Sequence, residues 1–169
     1  RQPGLAAWLR FRTGCIVGHV ADVRRVIEDV NRSRAHPFLL GAYLFAPSLA
    51  PLVGQGYAAL APLLDVVSPM LYRTLTPGDA CLTTEHAALA ALRLLPSHTE
   101  FTAADVGSEV QAARAALAPA AALVPILQLL DDSVVDVTRA ATTAGADAVD
   151  YFIYRPGAER YVELAAAVR

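Results

Sequence analysis

Four apolar runs that alternate with helical segments constrain the fold of this chain more than any other feature. The runs lie at 38–45, 66–72, 123–130 and 148–154, and they lack the strict polar alternation of a half-exposed strand. Continuous apolar strands of this kind are typical of parallel sheets covered on both faces. The segments with helical character are 11–34, 49–64, 84–95, 103–117, 134–144 and 157–168. The sequence therefore predicts a parallel α/β sheet with right-handed crossovers.

Local signals fix several helix ends. Thr102 and Asp105 fit a capping box in which Asp replaces the usual Glu. Ser133 and Asp136 are expected to cap the helix that follows them, and Gly145 is expected to close that helix in a left-handed conformation.

The number of strand–helix units sets the expected architecture. Four such units, with one extra helix after the second strand, are half of an eightfold barrel, which typically needs about 250 residues. This chain has 169 residues, and no GxGxxG motif follows any strand, which argues against a dinucleotide-binding sheet. Parallel sheets of this kind are either doubly wound or closed barrels, and the number of units in residues 1–169 fits half of a (β/α)8 TIM barrel.

Composition excludes several classes of function. The chain is 55% hydrophobic and carries a formal net charge of -2, so it has no basic field to hold nucleic acid or an anionic membrane. All 14 basic residues are arginine, which excludes Schiff-base and P-loop lysines. Cys15 and Cys81 lie in no CxxC or Cys/His cluster, so we expect neither a metal site nor a disulfide framework, and no cofactor.

The uncharged stretch at 37–64 does not predict a membrane span. Pro47, Pro51 and Pro62, with the Gly54-Gln55-Gly56 turn, divide it into pieces shorter than the ~20 apolar residues that spanning needs. The first residues show no signal-peptide pattern, and an export signal would lie upstream. The compartment stays open.

Polar and aromatic residues at the predicted carboxyl ends of the strands form the candidate site, because the working residues of parallel α/β folds lie there. Ser48 follows the first strand. The candidates after the other strands are Met70, Tyr72, Arg73, Gln128, Asp131, Asp132, Tyr154 and Arg155. This set suits a neutral polyhydroxylated ligand better than a phosphate, which would need a Gly-rich turn.

Structural roles compete with these assignments. Asp131 and Asp132 also suit the start of a helix, and both arginines suit loop ion pairs. Gln128 is harder to explain structurally, since an amide inside the apolar run 123–130 must find partners or cost about 1–3 kcal/mol.

Other titratable residues receive structural interpretations. The histidines at 19, 36, 86 and 98 show no pattern with Ser or Asp that predicts a catalytic triad. Glu85 is interpreted as a helix-start charge and Glu109 as a charge on the solvent face.

The strand segments resemble a known family. Asp65-Val-Val-Ser-Pro-Met-Leu-Tyr-Arg73 resembles the sixth-strand segment of glycosyl-hydrolase-like TIM barrels. Residues 38–45, Val124-Pro-Ile-Leu-Gln128 and 144–154 are similar to their strands five, seven and eight, and 8–12 to the entry of the helix after strand four. Met70 and Tyr72 also resemble the M-x-Y string of family 18 chitinases, whose following Asp is Arg73 here.

The resemblance implies a carbohydrate-active protein that hydrolyses glycosidic bonds of an oligo- or polysaccharide. Glycosidases place two carboxylates about the scissile bond. By the resemblance, at least one belongs to strand four, upstream of Arg1, which leaves Asp131 or Asp132 as carboxylate candidates here. We therefore expect this segment to be inactive without its N-terminal half.

Two alternatives remain. The Gly145-Ala-Asp147 string suggests an aldolase- or isomerase-type barrel that works without a Schiff-base lysine. A non-catalytic half-barrel that self-associates is the other, because exposed sheet edges favour pairing.

Overall fold

The computed structural model describes residues 3–73, 81–95, 100–117, 121–129, 133–152 and 160–167. Its α-helices are α1 (Pro3–Asn31), α2 (Tyr57–Leu60), α3 (Leu82–Ala91), α4 (Ala103–Ala116), α5 (Val134–Thr143) and α6 (Arg160–Ala167). Two short 3₁₀ helices, Ala50–Val53 and Ala61–Leu63, flank α2. The strands are β1 (Gly41–Phe45), β2 (Val66–Met70), β3 (Ala122–Leu123), β4 (Ile126–Gln128) and β5 (Asp150–Phe152).

All described strand pairs are parallel, which confirms the predicted α/β class. The strand order is β1-β2-β4-β5, and β3 pairs with β2 just ahead of β4. Phe45 pairs with Met70, Met70 with Ile126, and Gln128 with Phe152. These three pairs bring the carboxyl ends of the strands to one edge of the sheet.

Helix α1 begins eight residues earlier than predicted. Pro3 stands at its first position, where a missing N–H costs nothing, and the Ala, Leu and Arg residues that follow are good helix formers. The prediction relied on the amphipathic pattern alone, which begins only after Phe11 because Trp8 and Phe11 are exposed.

The segment 49–64, predicted as one helix, is broken into three short turns. Gly54 adopts a left-handed φ of 80° and ends the first 3₁₀ helix. Pro51 and Pro62 each stand at the start of a 3₁₀ helix, where the absent N–H is tolerated. Three breakers in one segment outweigh the helix propensity of its Ala and Leu residues.

The third predicted strand is also divided. Ala122–Leu123 and Ile126–Gln128 pair with the sheet, and Val124-Pro125 separates them because proline has no N–H for the ladder. Strands β1 and β2 are shorter than predicted, since only the hydrogen-bonded residues belong to them.

The two faces of the sheet differ in burial. Leu44, Val67, Leu123 and Leu127 lie on one face and pack in a buried cluster with residues of α1, α4 and α5. Strand alternation places Tyr43, Ser68, Met70, Ile126, Gln128, Asp150 and Phe152 on the other face. On that face Tyr43 is 67% exposed and Phe152 43% exposed, whereas the apolar runs predicted burial on both sides.

Asp65 fastens the amino ends of β1 and β2. Its Oδ2 accepts hydrogen bonds from the backbone N–H of Leu40 at 2.8 Å and from Arg24 Nη1 at 2.7 Å. Burial acts to raise the pKa of Asp65, but the bonds from Leu40 and Arg24 outweigh it and hold the pKa below its usual value.

No helix within the described ranges has the length and apolar character needed to cross a membrane.

Candidate functional site

The carboxyl ends of the strands bring together three predicted site residues and one that sequence reasoning missed. Met70, Gln128 and Phe152 lie on the same face of neighbouring strands. The ring of Tyr72, two residues beyond β2, stacks on Phe152 with centroids 5.0 Å apart and planes 29° apart. Phe152 was not a predicted site residue. The sequence signal that could have found it is its place in an apolar run, two positions before the predicted site residue Tyr154.

Gln128 has the unsatisfied amide that its place in an apolar run suggested. Its side-chain Oε1 is buried and accepts no hydrogen bond from any residue in the described ranges. A buried acceptor left without a donor costs about 1–3 kcal/mol, so such atoms in native proteins call for an explanation. A ligand that donates a hydrogen bond at this edge would remove that cost.

Arg73 forms hydrogen bonds to the segments that precede α4 and α5. Its Nη1 donates to the backbone oxygen of Phe101 at 2.7 Å, and its Nη2 lies 3.5 Å from Ser133 Oγ. Ser133 stands before α5 as predicted, but its hydroxyl makes no capping bond to that helix, so the predicted side-chain cap is wrong. The guanidinium thus connects the end of β2 to the starts of α4 and α5.

Hydrogen bonds to two backbone carbonyls hold the start of α3 against the end of β2. Leu82 N–H donates to the carbonyl of Tyr72 at 2.8 Å, and Thr83 Oγ1 donates to the carbonyl of Arg73 at 2.8 Å. The result is a pocket of about 190 Å³ lined by Phe45, Met70, Tyr72, Cys81, Leu82 and Glu85.

Glu85 faces this pocket, although the sequence analysis interpreted it as a charge at a helix start. Burial raises the pKa of its carboxyl above the usual value. It does lie in the first turn of α3, but Leu82 and Leu89 lie three residues before and four after it. That spacing places Glu85 on the apolar face of the helix and is the sequence signal that was overlooked.

A second polar cluster lies beneath the loop after β1. Ser48 Oγ lies 3.0 Å from His86 Nε2, and the Ser48 N–H donates to Glu109 Oε2 at 3.0 Å. His86 is 8% exposed and Glu109 9% exposed. The interpretation of Glu109 as a solvent-face charge is therefore wrong, and so is the expectation that His86 has no serine partner.

The Ser48 cluster ties the loop to α3 and α4 from inside the protein. Tyr57 adds a further hydrogen bond at the end of β1, because its hydroxyl donates to the carbonyl of Phe45 at 2.7 Å. Burial, with a smaller effect from the charge of Glu109, raises the pKa of Tyr57 far above its usual value, so this phenol stays protonated.

The Gly145-Ala-Asp147 string has a structural role. Gly145 adopts a left-handed φ of 103° directly after α5, which confirms its predicted closing role. Asp147 Oδ2 accepts hydrogen bonds from the N–H of Leu123 and from Arg114. This string therefore no longer favours an aldolase- or isomerase-type barrel.

Four of the predicted site residues lie outside the residues that the structure describes: Asp131, Asp132, Tyr154 and Arg155. Among the described residues, no group of three or more His, Cys, Asp or Glu side chains is placed to hold a metal ion. Cys15 is exposed and Cys81 is buried, and both are free thiols.

Comparison with known proteins gives no family for this chain. No family model matches it, and no curated protein or solved structure matches it at a significant level. The functional argument therefore depends on the chemistry of the site.

Proposed function

We propose that this chain supplies a carbohydrate-binding edge of a glycoside-hydrolase-like (β/α)8 barrel, in which it forms four carboxyl-terminal units. The proposed reaction, hydrolysis of glycosidic bonds, takes place when these units are joined to an N-terminal half. The observation that carries the proposal is the buried Oε1 of Gln128, which accepts no hydrogen bond from any described residue. Gln128 pairs in register with Phe152, a member of the aromatic stack.

Sugars match both parts of this site. Their hydroxyls donate hydrogen bonds, and a buried amide oxygen is an acceptor with a fixed direction. The Tyr72–Phe152 stack offers an apolar aromatic surface beside it, as sites with a few placed polar groups commonly do. Gln128, Tyr72 and Phe152 carry no positive charge that would favour a phosphate, and Arg73, next to Tyr72 in the sequence, donates to the carbonyl of Phe101.

The unequal burial of the two sheet faces supports the barrel architecture. In a (β/α)8 barrel the helices cover the outer face, and the inner face is filled by side chains from all eight strands. Here one face packs on helices, while Tyr43 and Phe152 on the other are partly exposed.

Oligosaccharide binding tests the proposal. We expect calorimetry with a panel of neutral oligosaccharides to detect a ligand of the 169-residue chain, and Gln128→Leu to weaken its binding about tenfold. Tyr72→Ala is expected to weaken binding by removing one ring of the stack. Gln111→Leu, on the exposed surface of α4, is the matched control.

Gln128→Leu is expected to keep the folded state, because the change removes a buried acceptor that no described residue satisfies. Unchanged binding in both Gln128→Leu and Tyr72→Ala would contradict the site. Absence of binding by the unmodified chain to the whole panel would contradict the function.

Self-association of the half-barrel is the second proposal, favoured by the exposed inner face. That face holds Tyr43 at one edge strand and Phe152 at the other, with a pocket of about 270 Å³ near Ser68 and Asp150 between them. Two copies of the four-strand path would give the eight strands of a closed barrel, which has no edges.

Sedimentation velocity tests self-association. Tyr43→Glu places a charge on the inner face and is expected to convert a dimer to a monomer. Phe11→Glu, on an equally exposed aromatic of α1, is the control that keeps the dimer. A monomer at all concentrations in the unmodified chain would contradict this proposal.

A further inference from the structure

Glu85 lies where two pockets meet at the carboxyl end of β1. The first is the pocket of about 190 Å³ that also holds Tyr72 and Met70. The second, of about 350 Å³, extends along α3 toward Leu52 and Leu89. Phe45 and Glu85 line both, and Glu85 is the only charged residue among the described residues that line either one.

The carboxyl of Glu85 has no counter-charge in the part of the chain that the structure describes. No described residue forms an ion pair or a side-chain hydrogen bond with it, and its environment is apolar enough to raise its pKa by burial. Glu85 is half-buried, so its carboxylate is partly withdrawn from water and gains from a cation or a hydrogen-bond donor that meets it. The chain supplies neither from its described residues.

Two aromatic rings complete the environment of this carboxylate. Phe45 and Tyr72 line the same pocket, and the faces of aromatic rings attract organic cations. A carboxylate beside such rings is the chemistry that recognises an ammonium group, which gains an ion pair from one and cation–π attraction from the others. A neutral hydroxyl gains only a hydrogen bond.

The pocket is held in place before any ligand arrives. Tyr72 and Arg73 fix the first turn of α3 through their carbonyl oxygens. The residue after Glu85, His86, contacts Ser48 from the loop after β1. The backbone that carries Glu85 is therefore held from two sides, which keeps the lining of the pocket in place.

We propose that Glu85 receives the ammonium group of a ligand bound between Phe45 and Tyr72. Resting on the carbohydrate function proposed above, the ligand is a sugar unit with a free amine, an unacetylated amino sugar.

Matched oligosaccharides test this inference. We expect the 169-residue chain to bind a glucosamine oligomer at least tenfold more tightly than the N-acetylated oligomer of the same length. Glu85→Gln is expected to abolish that preference, so that the two oligomers bind with equal affinity. Glu163→Gln, an exposed glutamate on α6, is the control that keeps the preference.

A non-sugar probe separates this inference from the carbohydrate function. Benzylammonium is expected to bind more tightly than benzyl alcohol, with the difference lost in Glu85→Gln. If only the ammonium probe binds, the cation site stands and the carbohydrate function fails. Equal affinities for the amine and its neutral partner, an unaltered preference in Glu85→Gln, or no binding of the ammonium probe would each overturn the inference.

Discussion

Asp147 repeats in the turn before β5 the contacts that Asp65 makes before β2. The N–H of Asp147 donates to the carbonyl of Leu123 at 2.9 Å, and its Oδ2 accepts from the Leu123 N–H at 2.7 Å. Asp65 makes the same reciprocal pair with Leu40 at the start of β1. Each aspartate also accepts a hydrogen bond from an arginine. Arg24 of α1, the helix before β1, binds Asp65, and Arg114 of α4, the helix before β3, binds Asp147.

This repeated arrangement indicates that residues at the amino ends of the strands stabilise the fold. Each aspartate joins the start of one strand to the start of the next and anchors the preceding helix. The Gln128 amide, the Tyr72–Phe152 stack and Glu85 all lie at the opposite end. A division between a stabilising amino end and a ligand-binding carboxyl end is typical of parallel α/β folds.

Asp65→Asn is the direct test of this clamp. Removing the charge weakens two hydrogen bonds to a carboxylate that is about one-quarter exposed, 27%. We expect a loss of about 1–2 kcal/mol in the free energy of unfolding at pH 7. Asp136→Asn, in an exposed pair with Arg139, is expected to change it by less than about 0.5 kcal/mol.

The pH dependence of the Asp65 effect has a defined sign. The pKa of Asp65 is lower in the folded protein than its ordinary value of 3.8. The stabilisation is therefore present above that value and is lost as the pH falls through the lower folded pKa. Urea unfolding at pH 7, 5 and 3 is expected to give an Asp65→Asn difference that shrinks only at pH 3, and a constant difference would contradict the clamp.

Local sequence signals predicted the elements that local chemistry decides. The strand 66–70 and the helix 103–116 followed from apolar patterning and from a capping pair within three residues of one another. The prediction of a single helix over 49–64 was wrong, because it gave the helix propensity of the Ala and Leu residues more weight than the three helix breakers Pro51, Gly54 and Pro62. Each of the three helix breakers can be recognised in the sequence, but their combined effect depends on the turn geometry that they adopt together.

The site was less accessible to prediction because its key contacts are long-range. Ser48 and Glu109 are 61 positions apart, and Ser48 and His86 are 38 apart. No spacing rule connects such residues, so Glu109 was interpreted as a surface charge and the contact between His86 and Ser48 was not predicted. Gln128 was found because its own run of apolar neighbours already required burial.

The capping box at the start of α4 is open to a direct measurement. Thr102 Oγ1 accepts from the N–H of Asp105 at 3.3 Å, and Asp105 Oδ2 accepts from the N–H of Thr102 at 2.7 Å, which confirms the predicted motif. We expect Thr102→Ala to lower the free energy of unfolding by about 1 kcal/mol. Gln111→Ala, at an exposed position inside the same helix, is the control, and an equal effect from both would contradict the cap.

Two glycines are expected to respond oppositely to alanine. Gly145 has a φ of 103°, so Gly145→Ala forces a side chain into left-handed backbone and is expected to cost about 1 kcal/mol or more. Gly14 lies within α1, and a Cβ added there meets nothing within 4 Å. Gly14→Ala is therefore expected to stabilise the chain by about 0.5–1 kcal/mol. Thermal unfolding measures both, and shifts of the same sign would contradict the backbone argument.

Glu85→Gln is expected to stabilise the unliganded protein at neutral pH. Burial raises the folded pKa of Glu85 above its ordinary value of 4.5. The favourable contribution of this group is therefore complete below pH 4.5 and is lost as the pH rises through the folded pKa, because burial disfavours the ionised carboxylate. Glutamine resembles the protonated form at every pH, so its advantage in melting temperature should be present at pH 7 and absent at pH 4. Glu163→Gln controls for the change in net charge. A Glu85→Gln advantage that persists at pH 4, or is missing at pH 7, would mean that the carboxylate is solvated well enough to need no cation.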